Sequence, residues 1–188
     1  MPVSFARFAC LLSLSVVVVS PALAQQHIQV PEEGMFAVGV SVGVGIPSEE
    51  LLKNGWFIAL SGEAYLTPRV SLRGQIGGAW FDVAGRPFDG RVSPLNVTGN
   101  VVYNWERGQW HPYATGGIGL YRLRYTEDDF SGSDTKLGLN LGGGVEYFLS
   151  RRDTITGEVT LHAIPGDADT TGFTTRYWTL AGGYKLYF

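Results

Sequence analysis

The feature that most limits what this chain can become is a strict alternation beginning at Phe36. Every even position through Ile46 is large and apolar (Phe36, Val38, Val40, Val42, Val44, Ile46), while the residues between are Ala37, Gly39, Ser41, Gly43 and Gly45. Successive side chains of a strand point to opposite faces, so this period of two specifies a strand with one greasy face and one small or polar face. A helix would need apolar residues three and four apart.

The pattern recurs in seven further segments. Gly55–Leu66 opposes Trp56, Ile58, Leu60, Ala64 and Leu66 to Ser61, Glu63 and Tyr65. Val70–Asp82 opposes Val70, Leu72, Ile76 and Trp80 to Ser71, Arg73, Gln75 and Gly77. Pro94–Trp105 opposes Leu95, Val97, Val101, Tyr103 and Trp105 to Asn96, Thr98, Asn100 and Asn104. Lys136–Leu149 sets Leu137, Leu139, Leu141, Val145, Tyr147 and Leu149 against Asn140 and Glu146. Thr154–Ile164 sets Ile155, Val159, Leu161 and Ala163 against Thr156, Glu158, Thr160 and His162. Thr174–Phe188 sets Trp178, Leu180, Tyr184, Leu186 and Phe188 against Thr179, Gly183 and Lys185. The fifth segment in chain order, Trp110–Tyr125, does not declare its faces, because Ile118 and Leu120 lie on one and Tyr113 and Tyr121 on the other.

Eight alternating strands fit a soluble sandwich, a ligand-binding barrel with a greasy interior, or a membrane barrel with a greasy exterior. Charge separates these. Glu63, Arg73, Glu146, Glu158 and Lys185 all sit on the polar face, and the apolar face is almost free of charge away from strand ends. Only 16% of the chain is charged and 13% is aromatic, so it lacks the charge with which a soluble barrel covers its outer face. A net charge of -3 with no basic patch also excludes a nucleic-acid binder. The expected fold is therefore all-β, an eight-stranded antiparallel up-and-down transmembrane β-barrel with its apolar set facing lipid.

Connections and tryptophans supply separate tests. Segments 47–54, 83–91, 126–135 and 165–173 are long, and 67–69, 106–109 and 150–153 are short. Short periplasmic turns alternating with longer external loops mark an outer-membrane barrel, with both termini on the periplasmic side. Trp56, Trp80 and Trp178 then fall at the external rim and Trp105 and Trp110 at the periplasmic rim, where amphipathic rings belong. The N-terminus agrees: Arg7, an apolar run from Phe8 to Val19, and the site Ala22-Leu23-Ala24 read as an export signal. Residues 1–24 are expected to be cleaved, 25–34 to form a periplasmic tail and 35–188 the barrel. Cleavage removes Cys10, the one cysteine, leaving no thiol for a disulfide or a thiolate metal site.

The ending Leu180-Ala181-Gly182-Gly183-Tyr184-Lys185-Leu186-Tyr187-Phe188, with alternating Tyr184, Leu186 and Phe188, resembles the signal read by the barrel-assembly machinery. The segment from Trp110 to Tyr121 is similar to the aromatic-and-glycine strand of the opacity-like porins. Together with the pattern of the whole chain, these features resemble the small eight-stranded outer-membrane barrels, those of the outer-membrane protein A and opacity-like type. The resemblance implies an outer-membrane location, contact with lipid and lipopolysaccharide, insertion by the assembly machinery, and no cofactor.

Function is less constrained. Glu63 and Arg73 each lie five residues from Pro68, which puts them opposite one another across a turn, about 5 Å apart. Glu146, Glu158 and Lys185 fall in the same layer near the periplasmic end, giving three carboxylates and two cations in a lumen that side chains fill. The resemblance implies the same, since the outer-membrane protein A barrel carries an internal salt-bridge cluster. A structural polar core and an ion gate both fit such a layer. Catalysis lacks a constellation: His162 is followed by Ala163-Ile164-Pro165, without the serine two residues on that a lipid A deacylase motif requires, and His111 has no partner in sequence. Glu127-Asp128-Asp129 with Asp134 matches no calcium-loop template and reads as a solvated acidic loop. Arg122, Arg124 and Arg176, on the lipid side near the external rim, fit either lipopolysaccharide phosphates or interface snorkelling. The expected role is non-enzymatic, structural or in surface interaction with a host or surface ligand through four loops, by a monomer. A narrow ion-conducting pore and, further off, a lipid-modifying enzyme are the alternatives.

Overall fold

The computed structural model describes residues 31–49, 52–83, 90–105, 108–127, 130–166 and 175–188, with backbone alone for 125–127 and 130–131. The expected signal segment and the first part of the tail lie outside these residues. Eight strands follow one another: β1 (Phe36–Pro47), β2 (Gly55–Tyr65), β3 (Val70–Asp82), β4 (Gly90–Asn104), β5 (Trp110–Glu127), β6 (Phe130–Phe148), β7 (Asp153–Ile164) and β8 (Thr175–Tyr187). Each pairs antiparallel with its neighbours in sequence, and β1 pairs with β8, so the sheet closes on itself as an up-and-down barrel. Closure leaves no unpaired edge, the condition for a sheet to sit in hydrocarbon.

Alternation sets the faces. Val38, Val42, Ile58, Leu60, Ile76, Val97, Leu120, Leu139, Leu141 and Leu180 are all exposed on the outside. Apolar side chains in that number, unburied by protein, need another apolar phase to cover them. Trp56 pairs across β2–β3 with Trp80. Near the short turns the ring of Trp105 stands 5.0 Å from Tyr103, and that of Trp110 is 4.7 Å from Tyr147. Two of these turns are pinned by hydroxyls: Val70 N–H donates to Thr67 Oγ1 at 3.0 Å, and Arg152 N–H to Ser150 Oγ at 3.1 Å.

Three expectations need correction. The third long connection, 126–135, is not a loop: β5 and β6 continue as a ladder to Glu127↔Phe130. Its serines, glycine and aspartate read as loop because a ribbon standing in water on both faces has no need of apolar alternation. β4 begins at Gly90 rather than Pro94, which lies inside the strand. The lumen is not polar throughout. Towards the long loops, Phe57, Phe81, Tyr121, Leu123, Ile164 and Tyr177 form an apolar cluster with Leu52 of the first loop packed against it. Towards the short turns, Tyr65, Phe148 and Tyr187 form a second cluster with Ala37 and Met35. The fifth strand is now assigned: Tyr113 and Tyr121 are buried inside, while Ile118 and Leu120 are exposed outside.

Closure depends on small residues at the β1–β8 seam. A Cβ at Gly43 would stand 2.0 Å from the Leu180 carbonyl oxygen and 2.6 Å from Ala181 Cα, with backbone on the other side that cannot turn away. Gly43→Ala is expected to destabilise the barrel by about 1–3 kcal/mol through overpacking. Gly62→Ala, whose Cβ meets nothing within 4 Å, should leave stability unchanged. The readout is the temperature at which the compact band of the unheated protein converts to the unfolded band in SDS gels.

Candidate functional site

Inward-facing charges of five strands meet in one layer. The β2–β3 register puts Glu63 directly opposite Arg73, and Arg73 Nε donates to Glu63 Oε2 at 2.9 Å. The other arm of the guanidinium reaches across the lumen, where Nη1 donates to Glu158 Oε2 at 2.6 Å. Lys185 Nζ donates to the same Glu63 oxygen at 2.8 Å and also to Glu146. The chain of contacts is therefore Glu158, Arg73, Glu63, Lys185, Glu146, with each cation between two carboxylates. Its formal charge is -1, from three carboxylates and two cations.

Neutral donors absorb the excess negative charge. Ser71 donates to Glu63, Tyr113 to Glu158 at 2.7 Å, Thr160 to Glu158 at 2.9 Å, and Tyr187 to Glu146. The Arg73 guanidinium also lies 5.0 Å from the Tyr113 ring centroid, in cation–π contact. Glu63, Arg73, Glu146 and Lys185 are at most 5% exposed, so these contacts act away from bulk solvent, where an unpaired charge is most costly. Sequence reasoning passed over Ser71, Tyr113, Thr160 and Tyr187 as partners. Their parity was the available signal: Ser71, Thr160 and Tyr187 each lie two residues from a charged member and so share its face.

The layer is enclosed on both sides. On the loop side the His162 ring stacks on Tyr177, with centroids 4.5 Å apart and planes at 11°, and Tyr121 Oη lies 3.0 Å from His162 Nδ1. Asn96 Nδ2 donates to Tyr177 Oη at 3.3 Å. On the turn side the Tyr65 and Tyr187 hydroxyls are 3.0 Å apart. The His111 ring lies 4.7 Å from the Phe148 ring, with Nε2 2.9 Å from the Gly108 carbonyl oxygen. Beside the charges is a cavity of about 30 Å³, lined in part by Ser41, Ser61, Arg73, Gln75, Tyr113 and Glu158, the space of about one water.

The remaining sequence candidates lie apart. In the terminal segment Gly183 faces inward beneath Thr156, while Tyr184, Leu186 and Phe188 point outward. Phe188 N–H donates to the Phe36 carbonyl at 2.8 Å, and Phe36 N–H to that of Phe188 at 3.2 Å. Arg122, Arg124 and Arg176 are exposed on the outer wall near the loop end. Of the acidic residues of the third connection, Asp134 lies 3.3 Å from Lys136, Asp128 and Asp129 fall outside the described residues, and Glu127 is described by backbone alone.

With this geometry in hand, comparisons place the chain. Residues 9–185 match the family described as outer membrane protein beta-barrel domain. No curated protein sequence matches significantly. Among solved structures, Neisserial surface protein A superposes with a TM-score of 0.65 at 18% identity, over 82% of this chain and 99% of that one. Ail, the attachment invasion locus protein of Yersinia pestis, gives 0.59 at 16% identity over 83% and 99%. It has also been solved in complex with the heparin analogue sucrose octasulfate. The outer membrane protein OprG from Pseudomonas aeruginosa gives 0.59 at 16% over 86% and 99%. These likenesses carry the fold.

Proposed function

The chain belongs to the outer membrane protein β-barrel domain family, and from that premise we propose that it is an integral outer-membrane protein with a structural and surface-interaction role, its working surface being the external rim and loops. Filling of the lumen carries this reading. An apolar cluster, a charged layer and a second aromatic cluster follow one another along the barrel axis, and the space beside the charges is about one water in volume. Such an interior supports the wall rather than transport, since an eight-stranded barrel is just wide enough for side chains to fill it.

In this reading residues 1–24 direct export and are removed, and the chain inserts as a monomer. The terminal pattern of Tyr184, Leu186 and Phe188 serves the assembly machinery. The surface role draws on Ail, a barrel of the same fold solved with a heparin analogue.

The test combines two measurements. Protein from a purified outer-membrane fraction should run as a compact band in SDS until boiled. In planar bilayers it should give no discrete conductance steps. Steps whose size changes in Arg73→Gln would replace this reading with the narrow pore, and recovery in the soluble fraction without a heat-dependent shift would overturn the membrane placement itself.

A further inference from the structure

Among the described residues the wall of the barrel is interrupted between β3 and β4. Gly78 pairs with Leu95 and Phe81 with Val92, but the ladder skips Ala79 and Trp80 against Ser93 and Pro94. Pro94 has no N–H to give, while on its other side β4 stays paired with β5 through Ser93↔Arg124 and Pro94↔Leu123. A groove of about 220 Å³ opens at the break, lined by Gly78, Ala79, Trp80, Ser93, Pro94, Leu95, Arg122 and Arg124. It ends blind, because Ala79 and Leu123 behind it belong to the packed apolar cluster of the lumen.

The lining has two chemistries side by side. Trp80, Pro94 and Leu95 make an apolar trough, deepened by the absence of a side chain at Gly78. Along one edge stand Arg122 and Arg124, both exposed and two residues apart on β5, so their Cα atoms are separated by about 7 Å. Neither forms an ion pair with a carboxylate among the described residues. The hydrogen bond of Arg122 goes to Ser133 Oγ at 3.4 Å, and two acids of the same end with described side chains are engaged elsewhere, Asp82 with Arg91 at 3.0 Å and Asp134 with Lys136. Trp80 belongs to the ring of tryptophans at the loop end, which sets the groove at the depth of lipid headgroups.

We propose that this groove seats one lipopolysaccharide molecule of the outer leaflet, with a sugar phosphate held by Arg122 and Arg124 and an acyl chain lying in the trough of Trp80, Pro94 and Leu95. The proposal rests on the outer-membrane reading above. A phosphomonoester carries close to two negative charges near neutral pH, which two guanidiniums match, whereas the phosphodiester of a glycerophospholipid carries one. The apolar trough continuous with the arginines favours a lipid over free phosphate. Arg176 lies on the same outer face near the loop end but outside the groove, and serves as the control for rim charge in general.

The test is native mass spectrometry of the barrel from neutral detergent, titrated separately with diphosphoryl lipid A, phosphatidylglycerol and inorganic phosphate. One lipid A per chain is expected, at concentrations about tenfold below those for phosphatidylglycerol, a difference of about 1.4 kcal/mol. Arg122→Gln with Arg124→Gln should weaken lipid A binding by about tenfold or more. Gly78→Leu should do the same with the charges intact, because its Cβ meets only ordinary contacts, 3.5 Å from Trp80 and 3.9 Å from Leu95, and its remaining atoms fill the trough. Leu95→Trp fills it from the other side if Gly78→Leu fails to fold. Arg176→Gln should leave binding unchanged. Equal binding of phosphatidylglycerol or phosphate, equal loss in Arg176→Gln, or full binding in both filled variants would each overturn the proposal. Absence of the heat-dependent gel shift in the unsubstituted protein would instead overturn the membrane reading on which it rests.

Discussion

Replacing Arg73 with methionine is expected to cost the barrel about 3–5 kcal/mol, the range for removing one partner from a buried ion pair. Methionine is shorter but of similar volume, so the loss is chiefly of charge and hydrogen bonds. Arg73 bridges Glu63 and Glu158, and without it the formal charge of the layer goes from -1 to -2, with Glu158 left to the hydroxyls of Tyr113 and Thr160. Glu63→Gln should be much milder, about 2 kcal/mol, the scale of a hydrogen bond to a charged group. Its removal leaves each cation one carboxylate, Arg73 with Glu158 and Lys185 with Glu146, and brings the layer to neutrality. The carbonyl of the new amide takes the Oε2 position, where it still accepts from Arg73 and Lys185, and its NH2 turns to donate to the Ser71 hydroxyl oxygen. Equilibrium unfolding of the folded barrel in lipid vesicles with urea reads both values. Equal losses for the two substitutions would show that the layer is not governed by charge balance.

That contrast also marks what could be read in advance. The Glu63–Arg73 pairing was legible because a turn centred on Pro68 fixes the register across only ten residues, and parity then fixes the face. The link from Arg73 to Glu158 joins strands far apart in sequence and depends on barrel radius and strand tilt, which no local pattern encodes. Faces of the strands were legible wherever one side had to meet an apolar phase, as in β1, where every even residue is large. They were not legible along β5, where Tyr113 and Tyr121 turn inward to fill the lumen: a tyrosine suits either an interface or a polar interior. The extension of β5 and β6 beyond the lipid was hidden for a related reason, since pairing there is held by backbone bonds that leave no mark on composition. The break at Pro94 could have been suspected from a proline inside an alternating run, but its consequence, a groove edged by two arginines of the next strand, appears only once β3, β4 and β5 are side by side.

A charge placed on the outer wall should be punished according to depth, and this gives the sharpest separation of lipid from water as the surrounding phase. Leu60 is 62% exposed and lies between Val40 of β1 and Ile76 of β3, within a continuous apolar belt. Leu60→Arg should cost about 2–4 kcal/mol, the value for arginine at the bilayer midplane of a membrane barrel, against about 0–1 kcal/mol near an interface. Leu66, 50% exposed in the short turn after β2, supplies the interfacial case, and Leu66→Arg should fall in that lower range. Were the belt facing water, both substitutions would be surface changes within about 0.5 kcal/mol of neutral, with no dependence on position. Urea unfolding of the two variants in the same vesicles measures the difference directly. A large cost at Leu60 with little at Leu66 follows only if the polar layer is the inside of the molecule and the valines, leucines and isoleucines are its contact with the membrane.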